Sequence, residues 1–319
     1  MAPVAQKLLV IDPLTLMGRE VMSVAESRPD LVGEFSYCHT ADDDEHQIAE
    51  LAGTPALIPP LTGTADFAQC SAVLVASDTD TSRLSHLFAQ MDDDPLLPVV
   101  DVARSASLAD RCRPAAGAAD SWPSAHIRVA HPALVVLSNL VSSLRHLVPT
   151  GATVTAVDPV SSLGGEAIEA LARQAAQRLQ GAPVEEMIEG NVLAFNVVAS
   201  TEGILQADAA IVVPGLDVAI GRATAGCFHG HAVYLGLAFD EPVDENAIWE
   251  TITADESFDL RQEPLSLDTT PETDTVAMTP PRLSHDRKHV AICAMVDGLR
   301  IGGALTALDI LGSVLGARF

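Results

Sequence analysis

Between residues 152 and 179 the spacing of apolar positions changes once, and the change predicts a strand, a turn and a long helix in succession. Thr153, Val154, Thr155 and Val157 are β-branched residues suited to a pleated surface. Asp158 and Pro159 end the strand, and the hydroxyls of Ser161 and Ser162 suit the free amides of a helix start. From Ala167 onward, Ile168, Leu171, Ala175 and Leu179 recur at spacings of three and four. That period predicts one face on a sheet, with Glu166, Glu169, Arg173, Gln177 and Arg178 in water. Gly181, with Pro183 beyond it, closes the helix.

The first element of the chain is a strand, Lys7 to Ile11, followed by the turn DPLTLMG and a helix from Arg19 to Glu26. Strand-like runs follow at Ala56 to Ile58, Ala72 to Ala76 and Val99 to Val102, separated by loops or by helical stretches such as Thr81 to Gln90. Such alternation predicts a mostly parallel sheet with helices on both faces. Arg113 to Ser124, rich in Ala, Pro and Gly, reads as an exposed connection that ends the first domain. After an apolar helix over Val135 to Leu147, strands are expected at Asn191 to Ala199, Ala209 to Val213, Ala223 to Phe239 and His289 to Val296. With one short helix at Asn246 to Thr253, the second domain should carry a broader mixed sheet. Leu260 to Pro281 reads as a mobile loop, and Leu299, Ile301, Leu305, Leu308 and Leu311 mark a final apolar helix face. The fold class is therefore α/β, a Rossmann-type parallel-sheet domain (1–126 and 298–319) plus an α+β domain with a mixed sheet (127–297).

Composition narrows the function classes. A chain of 319 residues suits two domains, and no apolar run reaches membrane-spanning length. No secretory leader is visible, so the cytoplasm is the expected location. The net charge of -25, with Lys7 and Lys288 as the only lysines, repels phosphate backbones and argues against nucleic acid as a partner. The runs Asp42-Asp43-Asp44-Glu45 and Asp92-Asp93-Asp94 lack the spaced ligands of a calcium loop and read as solvated. Cys38, Cys70, Cys112, Cys227 and Cys293 are scattered and odd in number, as expected of reduced thiols.

The opening strand, turn and helix have the shape of a dinucleotide-binding unit, but most of its glycines are missing. Only Gly18 stands, where the third would be. Asp12 adds a negative charge beside the place for a pyrophosphate, and Pro13 removes a donor. A retained fold with a lost or weakened cofactor site is expected.

The order strand-turn-MGREV, VSSLGGEAIEALARQAAQRL, NVLAFNVV, HGHAVYLGLAFDEPVDENAI and VDGLRIGGALTALDIL resembles aspartate-semialdehyde dehydrogenase across nearly the whole chain. The VSSLG…LARQ phrase looks most like the Usg-type paralogues, which keep the fold without all of the catalytic residues. The resemblance implies an N-terminal NADP-binding domain completed by the C-terminal helix, a central dimerisation domain, and a homodimer. It implies a thiolate that attacks an aldehyde, hydride transfer to NADP, and phosphate displacement of the thioester. The family's Asn-Pro-Asn-Cys turn falls on His131-Pro132-Ala133-Leu134, so an isobutyl group stands at the nucleophile position. The catalytic glutamine falls on Asp158, and the acid/base histidine on His231. The substrate-binding arginine falls near Thr224, with Arg222 two residues away.

Cys227 as a relocated nucleophile is less expected than a structural thiol. In one continuous strand it would lie about 13 Å from His231, too far for direct proton transfer. His126, His131, His229 and His231 lack a convergent carboxylate or thiol spacing, so no metal is expected. Ser162 and Gly164 are candidates, with Gly18, for contacts to a cofactor or a small anion, although capping explains the serines as well. The preferred expectation is a non-catalytic homodimer that binds a small anionic ligand or another protein, with NADP or NAD as its cofactor if it has one. The alternative is a working NAD(P)-dependent semialdehyde dehydrogenase of amino-acid biosynthesis.

Overall fold

The computed structural model describes residues 7–28, 34–42, 44–51, 53–67, 69–77, 83–84, 97–105, 108–109, 111–119, 124–200, 203–267 and 274–316. The chain divides into two compact units, Met1–Ala130 with Gly302–Phe319, and His131–Ile301.

The first unit is built on strands β1 (Lys7–Ile11), β2 (Glu34–Cys38), β5 (Ala72–Val75), β6 (Val99–Asp101), β7 (Arg113–Ala115) and β8 (His126–Val129). All pair in parallel, in the order β2-β1-β5-β6-β8-β7. Four successive apolar residues in β1 are buried, as a strand covered on both faces requires. One face packs into a core containing Leu9, Ile11, Val73, Val75 and Val99. Helices α1 (Leu16–Glu26) and α6 (Leu305–Val314) pack against each other, and Arg28 bonds Asp309 of α6 at 2.7 Å. Strands β3 (Gln47–Leu51) and β4 (Thr54–Ile58) form a separate antiparallel pair, so the apolar run at Ala56 to Ile58 does not join the main sheet. The expected exposed connection after Arg113 begins instead as β7, because Pro114 is buried at the sheet edge. Of the expected helix Thr81 to Gln90 only residues 83 and 84 lie within the described residues. Asp92-Asp93-Asp94 and Asp43 lie outside them.

The second unit carries a mixed sheet in the order β10-β11-β9-β12-β16-β14-β13, with β15 against β16. The strands are β9 (Pro149–Asp158), β10 (Val197–Ala199), β11 (Asp217–Ala225), β12 (His231–Phe239), β13 (Phe258–Leu260), β14 (Val276–Met278), β15 (Arg282–Leu283) and β16 (His289–Val296). Helix α2 (Pro132–Ser143) packs on β9 and β12, over Val154, Ala156, Val233 and Leu235. The opposite face of these strands is open: Thr153, Thr155, Ala219, Gly221 and Tyr234 are exposed.

Four expectations are corrected here. Ala209 to Val213 is not a strand: Ile204–Val212 is a helix, α4, whose Leu205, Asp208 and Ala209 are buried at helical spacing. Asn191 to Ala199 is extended only at Val197–Ala199, because Gln174 binds the preceding loop. Its Oε1 accepts from Leu193 and Ala194 (2.8 and 3.1 Å), and its Nε2 donates to the carbonyls of Glu186 and Asn191 (2.9 and 3.3 Å). That buried glutamine also turns the long helix α3 (Gly165–Leu179), so Ala170, Leu171 and Gln174 face inward and Leu179 is exposed. Ala223 to Phe239 is two strands, because Gly230, at φ 83°, turns the chain between them. Leu260 to Pro281 is not loop throughout, since β14 lies within it; residues 268–273 are outside the described set.

Candidate functional site

In the second unit, four side chains from separate elements converge at the carboxyl end of β9. Asp158 is the last residue of that strand and is fully buried. Arg222 comes from β11, where Ala156 pairs with Arg222 and Asp158 with Thr224, so Arg222 lies one pleat below the carboxylate. Its Nε donates to Asp158 Oδ2 at 2.5 Å. His231 opens β12, whose register sets Ala232 opposite Val157 and so brings His231 level with Asp158; its Nε2 lies 3.8 Å from Oδ1. His131 is the N-cap of α2, with Pro132 in the first turn, where a missing amide costs nothing. Its Nδ1 accepts from Ala133 N at 3.2 Å, which leaves Nε2 as the protonated nitrogen, 3.2 Å from both Asp158 oxygens.

The two imidazoles meet edge-on, with centroids 5.6 Å apart. Gly298 permits this arrangement: a Cβ there would fall 2.2 Å from His231 Cε1 and 3.0 Å from Pro132 Cγ. Burial alone would push the Asp158 carboxyl up, but His131, His231 and Arg222 outweigh it and hold the group well below the usual carboxylate range. The cluster is thus a buried, ionised carboxylate faced by imidazoles and a guanidinium. A cavity of about 360 Å³, lined in part by Arg222, Thr224, Ser200 and Asn191, opens onto the arginine.

The other residues singled out in the sequence behave differently. Leu134 is fully buried in the first turns of α2. Cys227 lies in the turn between β11 and β12, outside any strand, and burial and Asp158 push its thiol up against the effect of a backbone hydrogen bond. Ser161 and Ser162 do not cap α3. They sit in a short 3-10 turn (Val160–Leu163) where Ser162 Oγ donates to Pro159 O, and the cap position is Gly164, at φ 95° and without a side-chain bond.

In the first unit, Asp12 adopts φ 58°, a left-handed conformation normally left to glycine. Its carboxylate accepts from Thr40 N (2.7 Å), Thr40 Oγ1 (2.6 Å) and Ser77 Oγ, drawing together the ends of β1, β2 and β5. Thr15 caps α1 by accepting from Gly18 N at 3.0 Å. Gly18 cannot be larger, since a Cβ would fall 2.5 Å from Asp12 O. Asp101, at the end of β6, is also fully buried; burial pushes its carboxyl up to about 7 against the pull of Arg104, Ser105 and Arg128.

No protein-family model matches the chain, and no curated protein matches its sequence. Solved structures do match its backbone. A probable aspartate-semialdehyde dehydrogenase from Pseudomonas aeruginosa superposes with TM-score 0.85 at 19% identity, over 99% of each chain. Aspartate semialdehyde dehydrogenase II from Vibrio cholerae, complexed with ASA, gives 0.85 at 17% identity over 99% of this chain and 100% of its own. The enzyme from Francisella tularensis gives 0.80 at 11%, over 97% and 99%. The chain has the aspartate-semialdehyde dehydrogenase fold. Within that fold the structure brings Asp158 and Arg222 into a hydrogen bond and sets His231 Nε2 3.8 Å from the same carboxylate. It adds His131, whose place before Pro132 at a helix start is the signal in the sequence for a capping histidine. Gly18 and Asp12 lie at a different place, in the first unit.

Proposed function

We propose that this protein is a homodimer of semialdehyde-dehydrogenase fold that works by binding or assembly and does not turn over an aldehyde. The observation that carries the proposal is Leu134: a fully buried hydrocarbon occupies the third position of the α2 helix, where the resemblance implies a nucleophilic thiol. Cys227 does not replace it, because a raised thiol pKa beside a carboxylate disfavours the reactive thiolate. The first unit's opening turn does not fit a pyrophosphate. Thr15 already satisfies the amide of Gly18, and Asp12, tied to Thr40 and Ser77, keeps an acidic side chain at the turn. The Nε of Arg222 is taken up by Asp158 Oδ2.

The open face of the β9–β12 sheet supports pairing with a second copy. It exposes Tyr234 and Val197 and carries a groove of about 590 Å³ lined by Gly151, Gly236 and Ala219. No helix among the described residues is long and apolar enough to cross a membrane.

Titration with NADP and NAD by calorimetry, together with a phosphate-dependent assay on aspartate semialdehyde, tests the catalytic half. No turnover and no micromolar cofactor binding are expected, and turnover with bound cofactor overturns the proposal. Light scattering of the protein and of Tyr234→Asp tests the assembly half: a dimer is expected, weakened by the substitution.

A further inference from the structure

We propose that His131, Asp158 and His231 form a binding site for one divalent transition-metal ion of the zinc type, with one coordination position left for water or a ligand atom. The three residues offer donor atoms that all lie within 4.8 Å of one another, and all three are buried. The measured edges are 3.2 Å from His131 Nε2 to Asp158 Oδ1 and 3.8 Å from His231 Nε2 to the same oxygen. Metal–ligand bonds of about 2.0 to 2.1 Å in a tetrahedron place ligand atoms about 3.3 to 3.4 Å apart. At the Oδ1 edge a closure of a few tenths of an ångström by His231 reaches that spacing, and loading also draws together the two imidazole nitrogens, which lie within 4.8 Å of each other.

The two oxygens of Asp158 are differentiated in the way a ligating carboxylate needs. Oδ2 is fixed by Arg222, whereas Oδ1 is buried, accepts no hydrogen bond, and is the oxygen nearer to the His231 nitrogen. A buried carboxylate oxygen without a hydrogen-bond donor is costly unless a cation meets it. Two imidazoles and one carboxylate suit zinc, iron, cobalt or nickel better than magnesium or calcium, which favour oxygen-rich shells. His131 and Asp158 are also two positions at which the chain departs from the asparagine and glutamine that the resemblance implies, and both departures supply metal ligands.

Loading the site requires one proton to move. Without metal, the Ala133 amide donates to His131 Nδ1, so the hydrogen rests on Nε2. The metal takes the Nε2 lone pair, the proton transfers to Nδ1, and the Ala133 amide gives up its acceptor. One hydrogen bond and the imidazole–carboxylate contact are thus exchanged for three metal–ligand bonds, with no net proton release and no redox change.

The test uses the full-length protein, freed of tags and treated with chelator, titrated with Zn²⁺ by calorimetry and with Co²⁺ by visible absorption. One equivalent is expected to bind, giving a cobalt ligand-field band and a higher unfolding midpoint in zinc. His131→Asn, which keeps a capping side chain, and His231→Gln should each weaken binding on the order of a hundredfold or more and abolish the band. His289→Ala, at an exposed histidine, should change nothing. The proposal is overturned if the folded protein takes up no stoichiometric metal, or if binding survives His131→Asn and His231→Gln unchanged. Either result leaves the question of aldehyde turnover to its own assay.

Discussion

Asp158, fully buried at the end of β9, and Asp12, partly buried just past β1, close central strands of the two units, and their surroundings are opposite in kind. Asp12 is met by neutral donors, an amide and two hydroxyls, whereas Asp158 is met by a guanidinium and two imidazoles. Neutral dipoles at the end of β1 knit three strands together and use up the carboxylate. A guanidinium and two imidazoles at the end of β9 hold the carboxylate in its ionised form, and its Oδ1 is without a hydrogen bond. The same residue type is a structural tie in one place and a candidate ligand in the other, and its neighbours decide which.

The largest effect that would break this contrast is expected at Asp158. Asp158→Ala strands Arg222 and two imidazoles in a buried site and should cost about 3 to 5 kcal/mol by chemical denaturation at pH 7. Because the folded-state pKa lies below the ordinary carboxylate value, this contribution is fully present above about pH 4 and is lost as pH falls through the folded pKa.

Asp101 sharpens the comparison by running the other way. Its folded pKa of about 7 lies above the unfolded value, so stability falls as pH rises from about 4 to 7 and is level beyond, with a total on the order of a few kcal/mol. Denaturation midpoints of the protein and of Asp101→Asn at pH 5 and pH 8 check this. The substitution should flatten the pH dependence, and an unchanged slope would refute it.

A smaller effect is expected at Gln174, which makes four hydrogen bonds to the 186–194 loop. Gln174→Ala should destabilise by about 1 to 3 kcal/mol through amides left without acceptors, with faster hydrogen exchange at Leu193 and Ala194. The smallest is Asp12→Gly: relief of the left-handed backbone offsets part of the lost bonds, leaving a net loss of about 1 kcal/mol. If this variant gains dinucleotide affinity, Asp12 is what excludes the phosphates; if it does not, Thr15 is the next obstacle.

The elements read correctly from sequence are those whose local pattern and tertiary role agree. Lys7–Ile11 and His289–Val296 meet that condition, and so does helix α5 (Glu245–Ala254). The errors arise where long-range partners overrule propensity. Ile211, Val212 and Val213 are β-branched, yet the buried stripe of Leu205, Asp208 and Ala209 fixes a helix there. Gln174 is polar yet stands three residues after Leu171 on the inward face, and the loop amides that account for it lie 19 and 20 residues further on. Of the site, His231, Asp158 and Arg222 were visible through the resemblance. Their mutual bonding was not, because it depends on the register of β9 with β11 and β12.

The division of the chain also sets an order for its maturation on the ribosome. The second unit is one uninterrupted segment, His131–Ile301, and can condense as soon as it emerges. The first unit needs α6, whose Leu305, Leu308 and Leu311 are buried and which packs on β6 and α1, so its nascent strands wait until the whole second unit has been made before that layer is closed. A stop codon within α6 would therefore damage the unit whose strands precede the second unit in the chain.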